Sequence, residues 1–462
     1  MSCDKNFEEI NKNVDDPTII PSSMIIGTVV RNIGNSLYST FNGNEIGENW
    51  VQHQSLLQYN DPDRYKPRVA SMDGMWNTFY LAASNANQMY NLAEAEDNKI
   101  NMGIALVLKT YCFTLLTDYF GNVPYSEALL GPGDGIFAPK YDDQESIYNG
   151  VFTTLDDAIA LIQTGDGTTD SSMDILYAGD ASKWVKFANS LKFRSYMRIS
   201  GVKSVSAELQ ALVNGGNLFS SKDEEAKLVY LSEAPEANPI YESVVAGGRN
   251  EHAMSATFID YLLSKDDPRL PVIAQPAVAS GEYVGKPNGY KDSPLPGYGY
   301  DDVSQIGELY LEPTAPAYFI SYSELLFLLA EAAKKGFISG GYGTAKSYYD
   351  AAITNSFEDN GITGAADFIS QGDIAYSPTN ALEQIGYQKW VSLFCQGFES
   401  WTEWRRTGYP VLTPAVDGYI SEIPSRLKYN SDESSLNTAN YNNAVSEQGP
   451  DDLTTKMWWL GN

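Results

Sequence analysis

The residues able to do chemistry are few in kind. Three cysteines (Cys3, Cys112, Cys395) and two histidines (His53, His252) stand among 59 carboxylates and 31 Lys and Arg in a chain of 462 residues. Two histidines are too few for a His-based zinc centre, and three cysteines make no disulfide framework. Cys112 sits in an apolar run, 106–116, and Cys395 follows Phe394, so both read as small buried hydrophobes. The Gly131-Pro132-Gly133-Asp134-Gly135 cluster is a turn, because no strand precedes it and Pro132 removes an amide from any phosphate cradle. No His-Glu-x-x-His or Gly-x-Ser-x-Gly occurs, and the Ser-x-x-Lys tetrapeptides at Ser200 and Ser425 lack companion motifs. Asp166, Asp170 and Asp174 are spaced by four, not by the two of a calcium-binding hand. No metal or cofactor is expected. Near pairs among so many carboxylates carry no sign of acid–base catalysis. Glu324 and Glu331, two turns apart, read as a partly exposed helix flank. Arg405 and Arg406, following Trp401 and Trp404, read as a stacked structural cluster paired with Glu399 or Glu403.

The elements that must position any site are mostly helical. Ile104, Leu108, Tyr111 and Leu115, then Ile147, Val151, Leu155, Ala158 and Ile162, then Trp184, Phe187 and Leu191, then Tyr322, Leu325, Leu329 and Ala332 each line one helix face. Asp142 with Glu145 reads as a capping box, and Gly336 as a helix stop. The helices fall into neighbouring pairs over 72–118, 146–200 and 321–357. Their spacing has no fixed period, so a regular solenoid is not expected. Segments 41–68, 281–316 and 407–450 are loop-rich, and loops of this length usually carry function. No composition shift marks a linker, so residues 1–462 read as one unit. With 43% hydrophobic residues the chain can bury a large core, and no stretch approaches the ~18 uncharged apolar residues of a membrane span. A net charge of −28 argues against nucleic acid and against electrostatic docking on anionic lipid. Cys3 is preceded by neither a basic nor an apolar segment. It reads either as a free thiol or, following the small Ser2, as the acylation site of a trimmed lipoprotein.

Several segments resemble a known family in the family's own order. Phe120-Gly121-Asn122-Val123-Pro124-Tyr125-Ser126-Glu127-Ala128 resembles the "FGxVPYSEA" turn of SusD/RagB-like outer-membrane lipoproteins. Leu191 to Arg198, Glu331-Ala332-Ala333, Glu399 to Pro410, and the tail from Ile423 to Trp459 resemble further family segments. The resemblance implies a mainly α fold of tetratricopeptide-like helix pairs with long loop-rich insertions. It implies a cell-surface lipoprotein of Bacteroidota, lipid-anchored at Cys3 on a 1–20 tether, monomeric by itself, without enzyme activity. The implied partners are a SusC-like TonB-dependent transporter and an oligo- or polysaccharide. Asp4, Glu8 and Glu9 suit a surface-export signal, although they are spread more widely than the tight type.

The family's ligand contacts follow no fixed motif, so candidates come from the residues. Sugars pack C–H faces on aromatic rings and give hydroxyls to short polar side chains. Residues 41–68 offer Trp50, Tyr59 and Tyr65 beside Asn49, Gln52, Asp61 and Arg64, and residues 281–300 offer Tyr283, Tyr290, Tyr298 and Tyr300. Helix-face aromatics are committed to the core, so Trp401, Trp404, Trp458 and Trp459 are expected to pack rather than bind. Against the glycan-binding reading stand an all-helical glycosidase, which needs two carboxylates ~5–9.5 Å apart, and a lid or peptide-binding protein. The residues leave neutral glycan, host glycan and peptide open as ligands.

Overall fold

The computed structural model describes residues 20–461, so Cys3 and nearly all of the expected tether lie outside the described residues. The chain is mainly α. Its longer helices are α1 (Met24–Leu37), α2 (Val69–Ala95), α3 (Lys99–Phe120), α4 (Gln144–Gln163), α5 (Ala181–Ile199), α6 (Ser206–Gly215), α7 (Ala256–Ser264), α8 (Tyr322–Lys334), α9 (Gly341–Asp359), α10 (Ala381–Ser392), α11 (Gly397–Thr407) and α12 (Thr438–Gln448). The predicted pairs are α2 with α3, α4 with α5, and α8 with α9, and each pair packs together. Helix starts are fixed by side chains that satisfy free amides. Asn98 accepts from Asn101 N at 3.0 Å, Asp180 from Ser182 N at 3.0 Å, and Ser321 from Glu324 N at 3.1 Å. The capping-box expectation is off by one residue. Asp143 caps α4, accepting from Ser146 N at 2.8 Å, while Asp142 takes the amides of Tyr125 and Ser126. Gly336 stops α8 with a left-handed φ of +73°.

Helix α3 corrects one sequence reading. It is long and apolar enough, by composition, to cross a membrane, but α2 and α4 bury it. A Cβ on Gly103 would sit 2.5 Å from Ile162 Cγ1 and 2.7 Å from the Ala158 carbonyl, so glycine sets how closely α3 approaches α4. Segment 41–68 is also more ordered than expected, with a π-helical stretch over Thr40–Glu48 seated on α11.

Short antiparallel ladders tie the loops to the helices: β1 (Gln54–Leu56) with β5 (His252–Met254), β2 (Val123–Pro124) with β3 (Tyr141–Asp142), β4 (Ala226–Leu228) with β8 (Ala317–Ile320), and β6 (Ala274–Gln275) with β7 (Gln305–Ile306). In the first, Leu56 faces His252 and Gln54 faces Met254.

A buried ion network joins α3, α5, α8, α10 and α11. Arg198 meets Asp118 at 3.2 Å, Glu399 at 2.7 Å, and Glu403. Arg406 pairs with Glu331 at 2.5 Å and Glu403 at 2.7 Å, and Lys389 reaches Glu403 at 2.7 Å. Glu324 and Glu331 are therefore interior residues, not an exposed flank, because cations from distant segments meet them there. The Arg405 guanidinium lies 3.7 Å from the Trp401 ring, in the expected stacked cluster. Trp401 and Trp459 are buried, and Trp404 and Trp458 half-buried, as packing residues.

Glu324 is the strained member. Arg194 lies 3.6 Å away, and neither carboxylate oxygen has a hydrogen-bond partner. Burial, reinforced by Glu399 and partly offset by Arg194 and Lys389, pushes this acid up to about 7. A folded-state pKa above the unfolded one means the native state binds the proton more tightly. The stability it contributes is full below the unfolded pKa and is lost as pH rises toward 7. Glu324→Gln should gain about 2 kcal/mol relative to wild type between about pH 5 and pH 8. Urea denaturation at both pH values measures this, and an equal difference at the two would refute it.

A candidate binding face built from three loops

Segments 54–66, 284–300 and 413–420 converge on one face. Beneath it, Asp63 and Lys286 are both fully buried with 3.7 Å between their charged groups. Asp63 accepts from Ser55 Oγ at 2.9 Å, Asn288 Nδ2 at 2.7 Å and the Gly289 amide at 3.1 Å. The Lys286 ammonium also donates to Ser55 Oγ at 2.9 Å and the Pro287 carbonyl at 3.0 Å. Burial holds this lysine below its usual range, with Asp63 opposing. The third loop joins through Gln52 Nε2 donating to the Thr413 carbonyl at 2.6 Å, the Ala415 amide donating to the Tyr65 hydroxyl at 2.7 Å, and the Asp417 amide donating to the Gly289 carbonyl at 2.8 Å.

On the outside, Tyr59 is 62% exposed with a left-handed φ of +54°. A bulky residue rarely adopts that backbone, and such strain concentrates at functional sites. Tyr300 is 37% exposed, and burial, then Glu251 and Tyr59, raise its hydroxyl above the usual range. Tyr419, 50% exposed, donates to Asp61 Oδ1 at 2.8 Å. Arg64 lies over its ring at 4.5 Å and Lys66 at 4.7 Å. Asp61 is held below the usual carboxylate range, since Tyr419 and Lys66 outweigh its slight burial. The face thus offers an open ring, Tyr59, together with tyrosine hydroxyls, one carboxylate and the exposed Lys66 ammonium.

The candidate residues divide. Tyr59 is open, and Tyr283 and Tyr290 are half-exposed at the margin, Tyr283 packing on the core. The Tyr290 carbonyl accepts from Asn60 Nδ2 at 2.6 Å. Trp50, Tyr65 and Asn49 need correction as contact residues. Trp50 is fully buried, edge-on to Trp401 at 4.9 Å, with its indole donating to the Pro62 carbonyl at 3.1 Å. Tyr65 turns inward to receive the Ala415 amide. Asn49 is buried with its amide on the Glu45 carbonyl at 3.2 Å. In each case the loop needs a core of its own. Arg64 is half-buried, its Nε on the Asp417 carbonyl at 2.8 Å, so it supports Tyr419. Tyr419 was missed, although its loop stood out as turn-rich, because its partners lie more than 350 residues away in sequence.

A family model described as starch-binding and associating with the outer membrane, of SusD-like type, matches residues 14–430. Among solved structures, a chitin-binding protein is 27% identical with a TM-score of 0.82, covering 96% of this chain and 100% of that one. A chitin-binding SusD homolog from Flavobacterium johnsoniae is 25% identical with a TM-score of 0.82, covering 95% of this chain and 99% of its own. A SusD homolog from Bacteroides vulgatus is 26% identical with a TM-score of 0.82, covering 94% and 98%. No curated protein matches the chain in sequence.

Proposed function

The chain belongs to the SusD-like family, and on that premise we propose that its three-loop face captures glycan at the cell surface for a partner SusC-like TonB-dependent transporter. It is a non-catalytic, glycan-binding protein associated with the outer membrane. The observation that carries the proposal is the exposed, backbone-strained Tyr59, with exposed Tyr300 and Tyr419 on the converging loops, which Asp63 and Lys286 clamp from below. Rings with adjacent hydroxyl and carboxylate groups suit a neutral sugar chain. Two structural relatives are chitin-binding by name, so chitohexaose is the first probe. We propose that residues 1–462 act as a single unit, monomeric apart from the transporter and tethered by acylation of Cys3.

Tyr59→Ala should weaken chitohexaose binding about tenfold, the loss of roughly 1.4 kcal/mol for one stacking ring. Calorimetry on folded variant and wild type decides, and an unchanged affinity removes Tyr59 from the site. If chitohexaose fails to bind wild type, a panel of neutral glycans and peptides follows, and binding of peptides alone would replace the glycan reading. In cells, Cys3→Ala in the signal-bearing precursor should move the protein from membrane to soluble fractions. More than one acyl chain is needed for stable anchoring, at ~0.8 kcal/mol per buried methylene. Retention in a strain lacking the transporter would contradict the lipid assignment.

A further inference from the structure

Apart from the three-loop face, a cavity of about 190 Å³ opens between the end of α9, the 309–318 segment and the turn joining α10 to α11. None of its lining belongs to the three-loop face. Four rings, Tyr38, Tyr310, Tyr318 and Phe394, share its wall with the Asp359 carboxylate. The rings are fixed in place. Tyr310 meets Phe394 edge-on at 4.8 Å and donates its hydroxyl to Asn360 Oδ1 at 2.8 Å, while Tyr38 accepts from the Tyr318 amide at 2.8 Å.

Asp359 accepts from Asn355 Nδ2 at 3.0 Å. Among the described residues, no Lys, Arg or His nitrogen comes within the 4.0 Å of an ion pair with it. Its surroundings explain why. Glu225, just before β4, and Glu358, on α9, add negative charge. The two nearby cations are already engaged, Lys227 with Glu225 at 2.8 Å and Lys222 with Glu358 at 3.6 Å. Glu312 lines the same cavity. A half-buried carboxylate without a counter-ion, lining a cavity with four aromatic rings, lacks one thing, a positive charge. The aromatic faces supply the attraction that an ammonium group needs in place of water.

We infer that this cavity binds an organic ammonium group, with Asp359 as its counter-ion and Tyr38, Tyr310, Tyr318 and Phe394 around its alkyl stem. An anion is excluded by Asp359, Glu225, Glu312 and Glu358. A neutral sugar hydroxyl would hydrogen-bond Asp359 but leave its charge unbalanced, and an oligosaccharide exceeds the volume. One alkylammonium chain fits. The ammonium could come from a free small amine or from a lysine of another protein, and the chemistry is the same.

Burial, then Glu225, pushes Asp359 up to about 7, with Lys227 and Lys222 opposing and Glu358 reinforcing. Tyr310 and Tyr318, also within reach, are raised far above neutrality and do not titrate there. A cation should therefore bind more tightly when Asp359 is ionised.

The test is ligand-observed NMR titration of the folded protein with n-butylammonium, and with n-butanol as its neutral match. At about pH 8 the ammonium should bind at least about tenfold more tightly than the alcohol, and acidification to about pH 5.5 should remove most of that preference. Asp359→Asn should abolish the preference at both pH values, and Tyr318→Leu should weaken the ammonium severalfold with Asp359 intact. Equal binding of alcohol and ammonium, or an Asp359→Asn variant that binds ammonium like wild type, overturns the proposal. An acetylated, amidated Gly-Gly-Lys-Gly-Gly peptide that binds as well as n-butylammonium assigns the site to a protein lysine. Exclusion of that peptide with n-butylammonium retained assigns it to a free amine.

Discussion

Arg198→Met should cost on the order of 4 kcal/mol of folding stability, the usual loss when one partner of a buried ion pair is removed. Arg198 is 1% exposed and stands between carboxylates from two helices, Asp118 on α3 and Glu399 and Glu403 on α11. Glu403 keeps Lys389 and Arg406 when the guanidinium goes. Asp118 keeps the Tyr148 hydroxyl, and among the described residues Glu399 keeps only Arg194, at 3.5 Å. Two poorly compensated negative charges are then left in the interior. Burial already raises Asp118 against the pull of Arg198. Without that pull its folded-state pKa rises further, so the deficit should grow as pH rises and shrink as the acids are protonated. Urea denaturation at about pH 8 and pH 5 reads both the size and the sign. A second variant, Arg198→Met with Glu399→Met, should recover part of the loss, since removing both charges is far cheaper than orphaning one. A loss below about 1 kcal/mol for the single variant would mean the network contributes little.

That network also marks what the sequence could and could not reveal. Helices α2 to α5, α8 and α9 were legible because their apolar residues repeat every three or four positions, and burying that face is what makes each helix stable. Buried charge has no such signature. Glu331 meets Arg406 across 75 residues, and nothing local distinguishes it from an acid on a solvated flank. The binding face divides the same way. Tyr59 was legible as an aromatic in a turn-rich stretch. Trp50 and Tyr65, a few residues away, were not separable from it, because a long loop must bury part of its own aromatic surface to hold its shape. Which ring goes inward depends on partners such as Trp401 and Ala415, supplied from the far end of the chain. Tyr419 owes its place on the face to its contact with Asp61, 358 residues away, which no local pattern in the sequence encodes.

Asp63→Ala should cost about 3 kcal/mol and should weaken glycan binding more than any loss of a single surface ring. Asp63 receives three donors from two separate segments, Ser55, Asn288 and Gly289, and forms an ion pair with the Lys286 ammonium at 3.7 Å. Its loss orphans a lysine that has no solvent exposure. Burial already holds Lys286 low, and without Asp63 its folded pKa falls further below the unfolded one. A cation depressed in the folded state stabilises less as pH falls, so the Asp63→Ala deficit should narrow as pH rises toward about 9.5. The double variant Asp63→Ala with Lys286→Met separates the two roles of the pair. It removes the orphaned charge, so much of the stability should return. It leaves the Gly289 amide without its acceptor and the Asn288 side chain with the Gln54 carbonyl alone, so the clamp between segments 54–66 and 284–300 loosens under Tyr59 and Tyr300. Calorimetry with chitohexaose on the double variant should therefore still show impaired binding despite recovered stability. If affinity returned together with stability, Asp63 would be a folding residue alone, and the arrangement of the binding face would be set elsewhere.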